Sequence, residues 1–204
     1  MKNVFIDCGT HFGEGLHEFE KVLKFDPSNW EIFTFEANPD TYQTFLAKNP
    51  DLITRYNIKH FNKAVYDHEG TITFHQQTNP DWNEPKMGGG SSLMPLDRWN
   101  PHNGTKRGHF ITSVAVECFN LSDFIRQFKG RDIFIKLDIE GAEFAVLEKM
   151  IDDRSIDLVK TIYIEFHDSA DFFEESYVEV YKQKKDRITK YCLDHGIELV
   201  TWWI

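Results

Sequence analysis

The apolar run Val4-Phe5-Ile6 stops at Asp7 and passes through Cys8-Gly9-Thr10-His11-Phe12-Gly13-Glu14-Gly15 into Leu16, Phe19, Val22 and Leu23, which recur at helical spacing. A buried strand feeding a glycine turn and then a helix is how an open α/β sheet builds a ligand crevice at the carboxyl end of its first strand. The glycines let backbone N–H groups come close to a ligand, and the helix adds its positive end. A wound α/β fold is the expectation from these residues alone.

The rest of the chain repeats the alternation. Ile32-Phe33-Thr34-Phe35 reads as a second strand ending in Glu36-Ala37-Asn38-Pro39, and a helix begins near Pro39 with Tyr42, Phe45 and Leu46 on its apolar face. Residues 58–65 read as a third strand, and Asp67-His68-Glu69-Gly70 as a turn into the alternating strand Thr71-Ile72-Thr73-Phe74-His75, which predicts an appended β-hairpin. Ser113 to Cys118 forms another strand, and Ile133-Phe134-Ile135-Lys136-Leu137 the fourth main one, ending in Asp138-Ile139-Glu140-Gly141-Ala142-Glu143. A fifth, Thr161-Ile162-Tyr163-Ile164, ends in Glu165-Phe166-His167-Asp168; a helix over 175–194 follows, stopped by Gly196, and the chain closes with Ile197 to Trp203. This order predicts a single domain over 1–204: α/β, Rossmann-like and doubly wound, with a mostly parallel sheet and right-handed crossovers.

Between residues 76 and 110 the periodicity lapses, and four of the seven prolines fall there with the run Gly88-Gly89-Gly90-Ser91-Ser92. A loop of that length inside a compact domain reads as a substrate loop or lid, with Asp81, Trp82, Arg98, Trp99, His102 and His109 as its contact residues. A net charge of −10 argues against an extended nucleic-acid surface. Cys8, Cys118 and Cys192 are odd in number, lack metal-ligand spacing and read as reduced core residues. With no apolar run of membrane-spanning length and no cleavable leader pattern, the expected location is cytoplasmic.

An acid at the end of the second strand, such as Glu36, can accept hydrogen bonds from two vicinal ribose hydroxyls. Dinucleotide sites use G-x-G-x-x-G, whereas here Gly9 is followed by Gly13 and Gly15, and Asp7 closes the strand. That spacing suits S-adenosylmethionine better than a pyrophosphate, because a carboxylate beside the loop fits a ligand bearing an ammonium and a sulfonium.

Five segments, F-I-D-C-G-T-H-F-G-E-G, F-E-A-N-P-D, N-K-A-V-Y-D-H-E-G-T-I-T-F, K-L-D-I-E-G-A-E-F-A-V-L and I-E-F-H, stand in order between about residues 3 and 167. Together they resemble the FkbM-type methyltransferases, a class I group dependent on S-adenosyl-L-methionine. The resemblance implies methyl transfer from the sulfonium, most often to oxygen, with sugars and other small hydroxylated molecules or glycans as acceptors. It assigns the cofactor to Asp7, Gly9, His11, Gly13, Glu36, Asn38, Ala64 and Asp138, with Gly9 and Gly13 giving close approach, Glu36 the ribose contact and Ala64 the adenine contact. Class I folds finish with an antiparallel strand pair, and here only Ile197 to Trp203 follows the last helix. An exposed edge carrying Trp202 and Trp203 would favour a homodimer.

Asp138, Glu165 and His167 come from neighbouring strand ends and are expected to converge near the transferred methyl group. Either His167 is the general base, oriented by Glu165 or Asp138, or the three hold a divalent cation such as Mg²⁺, Mn²⁺ or Ca²⁺ that lowers the acceptor pKa. Glu140 is placed to face the acceptor and Glu143 to satisfy loop backbone. Two other functions compete: a dinucleotide oxidoreductase, from the glycine turn and Glu36, and a non-catalytic cofactor-binding partner subunit.

Overall fold

The computed structural model describes residues 2–77, 90–95, 98 and 110–202, the side chains of residues 110 and 111 excepted. In chain order the elements are β1 (Asn3–Cys8), α1 (Glu14–Leu23), β2 (Trp30–Phe35), α2 (Pro39–Lys48), α3 (Pro50–Tyr56), β3 (Lys59–Phe61), β4 (Ala64–Tyr66) and β5 (Gly70–Gln77). Then come β6 (Phe110–Asn120), α4 (Leu121–Arg126), β7 (Ile133–Leu137), α5 (Glu143–Asp152), a 3₁₀ turn (Ser155–Leu158), β8 (Val159–Ile164), α6 (Glu175–His195) and β9 (Glu198–Thr201).

Six strands form one sheet in the order β3-β2-β1-β7-β8-β9, and every neighbouring pair is parallel. Such a sheet is buried on both faces, which is why its strands are apolar at consecutive positions rather than at alternate ones. Val4, Ile6 and Cys8 of β1 enter one core with Phe144, Leu147 and Ile188 from α5 and α6. Phe5 points the other way, into a second core with Leu16 and Phe19 of α1, Phe45 of α2 and Leu52 of α3. The order reverses between β1 and β7, so the crevice of a wound sheet lies beyond their carboxyl ends.

Two sequence expectations change here. The strand expected over 58–65 breaks at Asn62: β3 stays in the main sheet, while β4 leaves it and pairs in parallel with β6. The Asn62 amide donates to the carbonyls of Glu36 and Ala37, occupying acceptors a continuing strand would need. The hairpin is also different, since β5 pairs antiparallel with β6, giving a separate three-stranded sheet in the order β4-β6-β5. At the opposite edge β9, the last strand of the sheet, joins β8 in parallel, and Trp202 at its end turns its ring onto the body. Its N–H donates to the Ile164 carbonyl and its ring packs on Phe19. Trp203 lies outside the described residues.

The expected loop over 76–110 corresponds to the connection between β5 and β6. Asp81, Trp82, Trp99, His102 and His109 lie outside the described residues. Residues 90–95 dock on the body: Ser92 exchanges two backbone hydrogen bonds with His75, and Leu93 and Met94 are buried. Arg98 is exposed over Tyr177, away from the crevice. All three cysteines are free and buried. Among the described residues no helix is long and apolar enough to cross a membrane.

Candidate active site

The parallel ladder continues one residue past each strand end. Glu36 N–H donates to Phe61, Gly9 to Phe35, Asp138 to Cys8, Glu165 to Leu137 and Trp202 to Ile164. These hydrogen bonds set Glu36, Gly9, Asp138, Glu165 and Trp202 side by side along the rim of the sheet. At about 4.8 Å per strand, the four steps from Glu36 to Trp202 span roughly 19 Å. All five line one cavity of about 370 Å³, within the usual range for small-ligand sites.

At one end of this row the Glu36 carboxylate is fixed by two backbone donors, His11 N–H at 2.9 Å and Asn38 N–H at 2.8 Å. Burial pushes its pKa up, against the pull of those donors. Two carboxylate oxygens offer about four acceptor sites, so capacity remains toward the cavity. Asn38 caps α2 by accepting from Asp40 N–H and also accepts from the Gln76 amide, tying the ligand wall to the small sheet. Ala64 lines the same end.

Under the middle of the row lies Lys136, a lysine in a central strand and only 3 % exposed. Its ammonium donates to the Gly9 carbonyl at 2.5 Å and lies 3.5 Å from Asp7 and 3.3 Å from Asp138. Burial works against its charge, but Asp138 and Asp7 outweigh that and raise its pKa. Asp7 is itself buried, which raises its pKa despite Lys136. The sequence reading gave Lys136 no role, although a lone charge within I-F-I-K-L was the available signal.

The turn after β7 carries the third group of charges. Glu140 has φ +54° and Gly141 φ +98°, two consecutive left-handed residues. A left-handed glutamate is costly, and two clamps hold it. Glu143, the first residue of α5, accepts the N–H groups of Ile139 at 2.8 Å and Gly141 at 2.9 Å, while Ser92 Oγ donates to the Glu140 carbonyl at 2.6 Å. The carboxylate of Glu140 faces the cavity. Its Oε2 is buried without a hydrogen bond, 3.3 Å from His167 Nε2. Burial, with Asp138, Glu143 and Glu165 nearby, lifts Glu140 to about 8 despite His167. Glu165 is also raised, by burial and then by Asp138.

His167 is 1 % exposed and does not line the cavity. Its Nδ1 meets Glu143 at 2.9 Å, and its Nε2 faces Glu140 at 3.3 Å and Glu165 at 3.9 Å. Burial alone would lower its pKa, but Glu143 and Glu140 lift it to about 10, so the ring is an imidazolium at neutral pH. Asp138, Glu140 and His167 each bring a ligand atom within 4.8 Å of the others, so Glu140 stands where the sequence reading set Glu165 in a metal tripod.

The remaining site residues separate clearly. Gly9, His11, Glu36, Asn38, Ala64, Asp138 and Glu165 line the cavity, as does Glu140; Asp7 and His167 lie behind its wall, and Gly13 is outside it. Both glycines answer a packing demand. A Cβ on Gly9 would stand 1.8 Å from the Asp138 carbonyl oxygen, and one on Gly13 2.8 Å from the Phe45 ring, with φ positive at both.

Comparison with known proteins gives this arrangement a context. No curated protein matches the chain. A solved structure, the methyltransferase FkbM from Methylobacillus flagellatus KT, is similar at 18 % identity and a TM-score of 0.51, covering 97 % of this chain and 38 % of that one. The chain thus spans well under half of that protein's length, and the likeness is one of fold. The family model for the methyltransferase FkbM domain matches residues 7–191, from the tip of β1 into the last turns of α6, and by that match the chain belongs to the FkbM methyltransferase family.

Proposed function

We propose that the chain transfers a methyl group from S-adenosyl-L-methionine to a hydroxyl oxygen of a sugar or other small hydroxylated acceptor. The observation that carries this reading is the rim row, which joins a backbone-anchored carboxylate, Glu36, to the acidic group Asp138, Glu140 and Glu165 in one cavity. The residues fit the cofactor: Glu36 retains acceptor sites for vicinal hydroxyls, and the excess of carboxylates over cations suits a ligand carrying a sulfonium and an ammonium. When bound, the cofactor supplies a methyl group on an activated leaving group. The chain's part is to bind the acceptor in line, exclude water and take the hydroxyl proton. His167, already protonated and behind the wall, is not the base in this scheme. That role passes to the carboxylates facing the cavity, with Glu140 the best matched to neutral pH because its pKa lies near 8.

The test is calorimetry with S-adenosylmethionine and S-adenosylhomocysteine. The wild type should bind both and Glu36→Ala should lose at least about tenfold, the order of one charge-assisted hydrogen bond. No heat from the wild type would sink the reading, and cofactor binding without methylated product over a broad acceptor panel would favour a non-catalytic partner subunit. A second reading adds a divalent cation at Asp138, Glu140 and His167. It is favoured by the Glu143 carboxylate on His167 Nδ1, the kind of partner metal-bound histidines have. Activity lost on chelation and restored by Mg²⁺ or Mn²⁺ would support it, and activity indifferent to chelator would remove it.

A further inference from the structure

The rim row has a direction. If Glu36 takes the ribose, Gly9 and Asp138 follow it along the sheet, and the last two positions, Glu165 and Trp202, stand farthest from the nucleoside. Two strand steps separate Asp138 from Trp202, roughly 10 Å. We infer that Trp202 is the platform on which the acceptor lies, with Glu165 beside it accepting a hydroxyl, and that this end admits uncharged or amine-bearing rings and excludes anionic ones. The inference rests on the methyltransferase reading and adds the identity of the acceptor end.

Three observations support it. The indole is held rigidly: its backbone N–H continues the ladder to Ile164, and its ring is wedged against Phe19 at 5.2 Å with the Lys136 ammonium at 5.3 Å. A fixed aromatic surface in a cavity wall binds the apolar face of a ring at little entropic cost. Second, the carboxylates that follow β7 and β8 on this wall are Glu140 and Glu165, while Glu14 pairs with His11. The cation beside them, Lys136, donates to the Gly9 carbonyl and is ion-paired with Asp7 and Asp138. Lys63, also on the wall, stands at the Ala64 end and pairs with Glu117. Among the described residues an acceptor phosphate or carboxylate would therefore meet like charge at the Trp202 end. Third, Trp202 lies beyond residues 7–191, the span matched by the family model.

The experiment uses the full chain saturated with S-adenosylhomocysteine and reads saturation-transfer NMR from three probes: methyl glucoside, glucosamine and glucuronate. Methyl glucoside and glucosamine should bind in the millimolar range and glucuronate at least about tenfold more weakly. Trp202→Leu should lose at least about tenfold for the two binding probes, while Trp202→Phe, which keeps an aromatic face, loses less. S-adenosylhomocysteine affinity should stay within about threefold in both variants, which also reports that they are folded. The inference is overturned if glucuronate binds as well as the others, if Trp202→Leu binds the probes like wild type, or if neither methyl glucoside nor glucosamine binds. Failure of the wild type to bind S-adenosylhomocysteine is a different outcome, which removes the methyltransferase reading and this inference with it.

Discussion

Replacing Glu143 with glutamine keeps the shape of the side chain and removes its charge at a position with no exposed surface. The carboxylate serves three donors at once: Ile139 N–H, Gly141 N–H and His167 Nδ1. A glutamine offers one acceptor oxygen and turns its NH₂ toward a donor, so one backbone N–H or the imidazolium loses its partner. Removing one member of a buried ion pair costs about 3–5 kcal/mol. A second route gives a similar size. His167 is lifted from 6.5 to about 10, and at 1.36 kcal/mol per unit the imidazolium contributes up to about 4–5 kcal/mol, to which Glu143 and Glu140 both contribute. Because the folded pKa is raised, this stabilisation is complete below 6.5 and lost as pH rises through 10. Urea unfolding of wild type and Glu143→Gln should therefore differ by about 3–5 kcal/mol at pH 7, with the gap narrowing toward pH 10. For a domain whose whole stability is about 5–15 kcal/mol, the variant is close to unfolding. A difference below about 1 kcal/mol, or one that widens with pH, would refute the reasoning. So would ¹⁵N spectra showing the wild-type His167 ring neutral at pH 7.5.

Lys136→Met should cost about 3–5 kcal/mol by leaving Asp7, 1 % exposed, without its cation, and an unchanged urea midpoint would contradict that assignment. His60 is stacked on Tyr42 and packed against Phe45, and burial lowers it to about 4. Its folded pKa is depressed, so it charges more readily in the unfolded chain. Stability is then full above 6.5 and falls as pH drops toward 4, by at most about 3 kcal/mol. Urea midpoints between pH 7.5 and 4.5 should fall less steeply in His60→Phe, and parallel slopes would exclude the effect.

How far the site could be read from sequence depended on where each charge sat relative to its strand. Asp7, Glu36, Asp138 and Glu165 each follow a short, mostly apolar run, and an acid there is visible because it marks where the buried strand ends. The partners of those acids were not visible. Glu143 was expected to satisfy loop backbone and does so, but its contact with His167 depends on β8 lying beside β7. The imidazolium state of His167 follows from that adjacency, so a sequence reading that saw a histidine near acids reached for a base. β4 was lost for a related reason: an alternating stretch states which side chains share a face, not which strand lies next to it. Gly9 and Gly13 were legible as glycines required by the fold, yet the neighbours that require them, the Asp138 carbonyl and the Phe45 ring, come from other elements.

A sheet covered on both faces leaves a chain few places for charge. Within the strands an ionised group has no water, and at the amino ends the loops here are occupied with surface pairs such as Glu31 with Arg131 and Lys59. The carboxyl ends are where β1 and β7 diverge and a cavity opens, and the carboxylates collect there. Lys136 is the exception that shows the constraint. Its side chain is buried, and it is tolerated because the tips of β1 and β7 supply the Asp7 and Asp138 charges and the Gly9 carbonyl. Lys136 is ion-paired with Asp7 and Asp138, and among the described residues no lysine ion pair is formed by Glu140 or Glu165. Burial first, and then Asp138 nearby, raises the pKa of both. A carboxylate with a raised pKa is a stronger base toward a hydroxyl proton than an ordinary one. On this argument the buried lysine serves the scaffold, and the raised pKa of the cavity acids suits them to the proposed proton transfer.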